Sequence, residues 1–464
     1  MNRSLRPAPS KWSSISTPIA LLLLGAAYLW AYLRLQSRWW FEDDPSLFAY
    51  ANEIHNPASV FFDPSLLRHF TTGKALVPMQ LVSYWVDTRL AKLSPAFAYA
   101  HQAFSFLLTL LVLYFLLVQL LRNNKAAAFG ISFLWMLAPS TLVVVQFLAT
   151  RHYLEGLFFA ILAVFVLSKS GLQNGACDWR AYAIAFACGV IAALYKEIYA
   201  VIVPALFLGY AWKYKSRGLA LGAVAMTIAY GAYRLWMLGA ALDYNMAFLS
   251  APQYLKFLSK LPYTLSSNYG GYILWGIIAA LCAYSARAVP TDKERRGPLV
   301  FGIAVLVGLC IATIVPVSYP LYGTIRVPGT WYRIVFLLNT VLLVSGGCLA
   351  VRFLTTRRQL ALGLLTMIVL GAGAAKTDKL WVAMTARAES EGKFYLNNPD
   401  KVLLSEQEAW WFIPGVHWMY GVKNPHYVLL KDVQGTRTES PVWRYRNGGF
   451  APVSSPLGNV ESSR

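Results

Sequence analysis

Charge is scarce in this chain of 464 residues: 13% of the side chains are Asp, Glu, Lys or Arg, and only 21 are acidic, where soluble proteins carry about 25% charged residues. So few charges cannot clothe a composition that is 57% hydrophobic and 15% aromatic. An ordinary soluble enzyme is therefore excluded, and so is an intrinsically disordered chain, which needs low hydrophobicity. Cysteine is scarce as well. Of the five, Cys177 sits in a short basic loop, and Cys188, Cys282, Cys310 and Cys348 sit inside apolar runs. That placement suits buried small hydrophobes and excludes a disulfide-stapled secreted scaffold. The six histidines form no HExxH pattern, and the cysteines form no CxxC, so no zinc centre is legible. No P-loop or dinucleotide glycine fingerprint precedes a helical pattern, which leaves nucleotides without a visible pocket. No internal repeat or low-complexity tract stands out.

What the chain has instead is long apolar runs, and lipid is the solvent that accepts them. A bilayer core asks for about 20 mainly apolar residues per helix. Eleven runs qualify, at about 18–35, 97–121, 126–148, 152–168, 181–195, 197–212, 218–238, 270–286, 298–315, 332–351 and 359–375. The predicted fold class is an all-α polytopic membrane protein of about eleven transmembrane helices. Tyr195-Lys196-Glu197 puts two charges between the fifth and sixth runs, which predicts a tight turn there rather than one long helix. The first run follows Arg3, Arg6 and Lys11 and lacks a small-residue cleavage site, so it reads as an anchor.

The formal charge of +20 is then a statement about topology, and nucleic acid is not an expected partner. With a cytoplasmic N-terminus, the inner segments 1–17, 122–125, 169–180, 212–217, 287–296 and 352–358 hold seventeen Lys and Arg against Asp178, Asp292 and Glu294. This is the positive-inside pattern. Most acids are thereby left facing outward, and the chemistry is expected on the outer side. Two outer segments are long. Residues 36–96 are expected to form amphipathic helices carrying the acids of interest, and residues 376–464 a small mixed segment beyond a transmembrane domain at 1–375. No Asn-x-Ser/Thr site occurs in the outer segments, which favours a bacterial inner membrane with the site facing the periplasm.

Three consecutive acids, Glu42, Asp43 and Asp44, follow the first span in the stretch Trp-Trp-Phe-Glu-Asp-Asp-Pro. Like charges this close raise at least one carboxyl pKa unless a cation or basic residues compensate, and such a carboxylate can take a proton from an attacking hydroxyl. Capping of the helix that begins near Asp44-Pro45 uses one acid, and three are present. Ionisable groups reach the same outer level on other spans: Arg151 with His152, Lys196 with Glu197, Arg326, and Arg333 behind Tyr332. Such groups cost roughly 2.5 to 3.5 kcal/mol each to insert, so they have a partner or a task. Arg and Lys converging beside a lipid-facing groove would clamp a phosphate. A divalent cation, Mg or Mn, held by Asp43 and Asp44 with an outer-loop oxygen is an open alternative.

These residues resemble the integral-membrane GT-C glycosyltransferases, of the protein-mannosyltransferase and aminoarabinose-transferase type. Glu42-Asp43-Asp44-Pro-Ser-Leu-Phe-Ala-Tyr-Ala is similar to their first-loop acidic pair. Val77-Pro-Met-Gln-Leu-Val-Ser-Tyr through Leu93-Ser-Pro-Ala-Phe-Ala-Tyr-Ala-His101 is similar to a surface helix leading to a His-bearing second span. Ala149-Thr-Arg-His-Tyr-Leu-Glu-Gly-Leu-Phe-Phe and Ala193-Leu-Tyr-Lys-Glu-Ile-Tyr are similar to two further stretches, so the likeness covers about residues 18–215. It implies inverting transfer of a monosaccharide from a polyprenyl-phosphate donor to a periplasmic protein, lipid or glycan. Asp43 would act as base, and Asp44 would bind acceptor, cation or a neighbouring base. Arg151, Lys196, Arg333 and Arg326 would face the donor phosphate, with His152, Glu197, His101 and Tyr332 nearby. The competing readings are a flippase or transporter of an anionic lipid-linked substrate, against which the absence of duplicated halves speaks, and a polymer ligase.

Overall fold

The structure is a computed structural model. It describes residues 16–33, 39–70, 75–170, 178–239, 250–253, 255–256, 259, 293–314, 333, 335–354, 356–405, 412–422, 427–429, 441–446 and 449–453. Helix dominates. Among the described residues four helices are long and apolar enough to cross a membrane: Pro95–Leu120, Leu148–Lys169, Arg217–Leu238 and Arg357–Asn397. A bent pair, Lys125–Leu137 with Pro139–Gln146, makes a fifth. The flanks of the helices agree with a lipid surround. Leu22, Trp212 and Leu221 are each more than 70% exposed, a display that water does not tolerate over so many helices.

The helices run in order as α1 (Thr17–Leu33), α2 (Asp44–Glu53), α3 (Pro64–Phe70), α4 (Pro78–Ala91), α5 (Pro95–Leu120), α6 (Lys125–Leu137), α7 (Pro139–Gln146), α8 (Arg151–Lys169), α9 (Trp179–Tyr195), α10 (Tyr199–Tyr214) and α11 (Arg217–Leu238). Beyond them lie helices Lys293–Ile314 and Phe336–Phe353 and the long helix Thr356–Asn397. At 26 residues, α5 is about 39 Å long, enough to cross a hydrocarbon core of about 30 Å. The most enclosed span is α8, packed on α9 and α5. Its inward face joins Leu154, Leu157, Ile161 and Val164 to the main core.

Three features differ from the simplest reading of the hydropathy. The run 126–148 is two helices that meet at 61°. Pro139 has no N–H for the ladder and drives Ala138 to extended backbone, φ −62° and ψ 130°. The run 359–375 does not stop at the polar boundary but continues as helix to Asn397. Residues 376–397 contain no proline and many Ala, Lys, Glu and Leu, so helix propensity outlasts the apolar stretch. The expected run at 270–286 lies outside the described residues.

The segment after α1 folds as α2, a 3-10 turn at Pro57–Phe61, α3 and α4, with a core of its own around Trp40, Phe48, Leu81, Tyr84 and Tyr99. The C-terminal part holds a four-stranded sheet of β1 (Val402–Ser405), β2 (Tyr427–Leu429), β3 (Val442–Arg446) and β4 (Gly449–Val453), in the order β2-β1-β3-β4. β1 pairs in parallel with β2 and β3, and β3 pairs antiparallel with β4, Val442 opposite Val453 and Arg446 opposite Gly449. The sheet is tied to the long helix by the Ser405 hydroxyl, which donates to Glu391 Oε2 at 2.9 Å. A short helix, Phe412–Tyr420, lies directly on α2. A Cβ on Gly415 would come within 2.8 Å of the Ser46 backbone nitrogen and 3.1 Å of Pro45 Cβ. Only glycine lets the two helices approach this closely.

Candidate functional site

The acidic turn is clamped on both sides by aromatic packing. Trp40 and Phe41 are buried. Trp40 Nε1 donates to the Tyr420 hydroxyl at 2.8 Å, and the Phe41 ring lies edge-on to Phe147 and Trp381, at 5.5 and 5.0 Å between centroids. Glu42 occupies the left-handed region at φ 43°. This is unusual for a residue with a Cβ and characteristic of tight turns and functional sites. The turn closes with Asp44 N–H donating to Phe41 O at 2.9 Å.

The three acids have three different situations. Asp44 is fully buried and accepts from Phe41 N–H on Oδ2 at 3.0 Å and from Ala149 N–H on Oδ1 at 2.8 Å. Burial pushes its carboxyl well above the usual range. The two N–H groups oppose that shift, and Asp43 and Glu42 add to it. Burial is the largest cause, ahead of the repulsion from Asp43 and Glu42. Asp43 is at the cap position of α2 but makes no side-chain cap bond, and it is only half-buried. Glu42 Oε2 lies 4.0 Å from Arg333 Nη1.

One of the predicted cations, Arg333, comes to this turn, and a second, Lys196, lies near the start of α8. Arg333 lies over the Phe147 ring at 5.1 Å, three residues before helix Phe336–Phe353. The start of that helix is fastened to the α6–α7 bend by Asn339 Nδ2 donating to Ser140 Oγ at 3.0 Å and Trp135 Nε1 donating to Thr340 Oγ1 at 3.0 Å. Lys196 occupies the break between α9 and α10, half-buried, with its ammonium 5.4 Å from the Tyr153 ring centroid. Buried His152, at the start of α8, feels the field of both Lys196 and Arg333. Glu197 belongs to the scaffold. It pairs with Arg234 of α11 and accepts from Leu76 N–H at 2.7 Å, which fixes the break that carries Lys196.

Arg151 lies one layer behind the turn. It is fully buried, and its Nη1 is 2.6 Å from Asp87 Oδ2. Nε donates to Gln102 Oε1 at 3.1 Å, Nη1 also to Ser83 Oγ at 3.3 Å, and Nη2 to Ala98 O at 2.8 Å. Four of the five N–H donors of a guanidinium are thus spent inside the protein. Its faces lie against the Phe48 and Tyr84 rings, at 5.8 and 5.3 Å. The phosphate-binding role expected for Arg151 does not suit this setting, which instead makes it a positioning residue. His101 joins the same cluster, with Nδ1 2.6 Å from Asp87 Oδ1 and Nε2 3.3 Å from Glu155 Oε1, and Ser83 and Ser105 donate to that Glu155 oxygen. The cluster is linked to the acidic turn through the segment before α8. Gln80 Nε2 donates to Ala149 O at 3.0 Å and the Tyr84 hydroxyl to Leu148 O at 2.9 Å, while Ala149 N–H holds Asp44.

Sequence reasoning passed over Asp87, Glu155 and Arg234, although each is an ionisable residue in an apolar helix, which is itself the signal that a partner exists. Arg326 and Tyr332 lie outside the described residues. Each oxygen of Asp44 accepts one backbone N–H group, which leaves one further lone pair on each. Among the described residues no group of three His, Cys, Asp or Glu is arranged to hold a metal. What the site brings together is a turn fixed by its neighbours that holds the half-buried Asp43, a guanidinium, Arg333, that reaches the adjacent Glu42, and an ammonium, Lys196, close to His152 in the segment behind it. No protein-family model matches this chain, and neither does any curated protein or solved structure.

Proposed function

We propose that this chain is a polytopic inner-membrane glycosyltransferase of the GT-C type, with about eleven spans. It transfers a monosaccharide from a polyprenyl-phosphate donor to a hydroxyl of a periplasmic protein, lipid or glycan. The observation that carries this reading is an acidic turn in which Arg333 lies 4.0 Å from Glu42 beside the half-buried Asp43, with Lys196 close to His152 just after the Ala149 N–H that holds Asp44. A carboxylate turn that meets a guanidinium, with an ammonium near the segment that holds the turn, suits a reaction in which a hydroxyl loses a proton while a lipid phosphate departs.

The Asp43 carboxylate takes the proton of the acceptor hydroxyl. The oxygen attacks the anomeric carbon from the face opposite the phosphate, the bond from that carbon to the phosphate oxygen breaks, and the configuration inverts. Polyprenyl phosphate leaves with the bonding pair, and Arg333 and Lys196 neutralise the charge that grows on it, an interaction stronger in the transition state than before it. Asp44 serves by holding the turn against Ala149, and Arg151 by holding α8 against α4.

The test is purified protein with a polyprenyl-phosphate monosaccharide and an acceptor, scored for released polyprenyl phosphate. Asp43→Asn is expected to lower turnover by about 10²- to 10⁴-fold, the usual share of a general base, with donor binding unchanged. Wild-type turnover in that variant removes the base assignment. Movement of labelled donor across vesicles without release of polyprenyl phosphate replaces the enzyme with a transporter.

A further inference from the structure

At the opposite end of the same two spans is a cavity of about 300 Å³ lined by Phe115, Val118, Gln119, Arg122, Asn123, Phe165 and Lys169. It lies where α5 and α8 both finish, far along the chain from the acidic turn and at the level of the basic inner loops. Two cations and no carboxylate line it. Among the described residues no acid comes within ion-pair distance of Arg122 or Lys169. Lys169 lies 5.8 Å from the Phe165 ring centroid, its stem along the apolar wall. Gln119 donates through Nε2 to Ser168 O at 2.6 Å, which ties the two helix ends together. Its Oε1 is buried and has no hydrogen-bond partner among the described residues.

Each observation asks for part of one ligand. Two cations at helix ends ask for an anion. Phe115, 40% exposed, and Phe165 continue the cavity into the apolar flank of the spans, where acyl chains run. A free aqueous anion satisfies the first demand alone. The geometry points to a binding site for one anionic phospholipid of the inner leaflet, its phosphodiester between Arg122 and Lys169 and its acyl chains along Phe115 and Phe165. This lipid is a resident of the α5–α8 end and does not depend on the reaction proposed for the other side.

Full-length protein in zwitterionic micelles is titrated with short-chain phosphatidylglycerol, and native mass spectrometry reads the bound lipid. Phosphatidylcholine of equal chain length and inorganic phosphate form the other two arms. One saturable phosphatidylglycerol is expected, with weaker phosphatidylcholine binding and no displacement by inorganic phosphate. The pair Arg122→Gln and Lys169→Gln should raise half-saturation about thirty-fold, from about 1 kcal/mol per membrane-proximal cation. Lys213→Gln with Arg217→Gln, which removes equal charge from the α10–α11 turn, should leave it nearly unchanged. Equal binding of the two lipids to the unmodified protein overturns the proposal, as does displacement by inorganic phosphate. So does an unchanged midpoint in the Arg122 and Lys169 pair, or an equal loss in the control pair.

Discussion

Replacing Asp87 with Asn keeps the size of the side chain and removes the carboxylate that touches Arg151 at 2.6 Å and His101 at 2.6 Å. Arg151 has no route to water, being 0% exposed, so the variant leaves a guanidinium buried with neutral acceptors. Breaking one side of a buried pair costs about 3–5 kcal/mol. Gln102, Ser83 and Ala98 O still accept from Arg151, and Glu155 remains within its field. The lower end, about 3 kcal/mol, is therefore expected, a shift of roughly 150-fold in the folding equilibrium. The paired replacement Asp87→Leu with Arg151→Met removes both charges and keeps the volume. It should recover about 2 kcal/mol of that loss, because an apolar pair of similar size commonly equals or exceeds a buried ion pair. Denaturant unfolding in micelles followed by tryptophan fluorescence gives all the free energies. A loss below about 1 kcal/mol in Asp87→Asn refutes the reasoning, and so does a double variant no better than the sum of its single changes.

Gly415→Ala places a methyl group 2.8 Å from the Ser46 backbone nitrogen, which cannot swing aside. A loss of about 1–3 kcal/mol is expected, together with lower turnover, because α2 carries the acids; the same unfolding assay and the transfer assay read the two effects. Burial raises the Asp44 pKa in the folded protein, so the folded state holds that proton more tightly than the unfolded chain. The stabilisation is complete below the unfolded value of about 4 and is lost as pH rises through the folded value. The stability of the parent relative to Asp44→Asn should therefore fall as pH increases from about 4, and a difference that stays flat or grows contradicts the assignment. Lys196→Ala should weaken donor binding about ten- to a hundred-fold, the worth of one charge-assisted hydrogen bond. An unaltered donor Kd removes Lys196 from the site.

Local chemistry made much of the site legible. The acidic triplet, the Lys196-Glu197 break and the Arg151-His152 pair stand out in the sequence because charge in apolar surroundings is expensive and therefore meaningful. Their division of labour was not legible. Glu197 and Lys196 are neighbours in sequence, yet one holds Arg234 and Leu76 while the other lies over Tyr153. Asp43 and Asp44 are equally adjacent, and only Asp44 turns inward to Ala149 N–H. Which side chain of such a pair points into the protein depends on the backbone of a turn whose partners lie elsewhere in the chain.

That several helices are long and apolar enough to cross a membrane is legible in composition alone, because the match between an apolar run and a bilayer needs no knowledge of neighbouring helices. Packing, by contrast, sets Arg151 against Asp87, 64 positions away, and brings Arg333 to Glu42 from a distant part of the chain. A guanidinium pairs with whichever carboxylate the packing brings within about 3 Å. That distance is set by how α4, α5 and α8 pack together, and no local pattern encodes it.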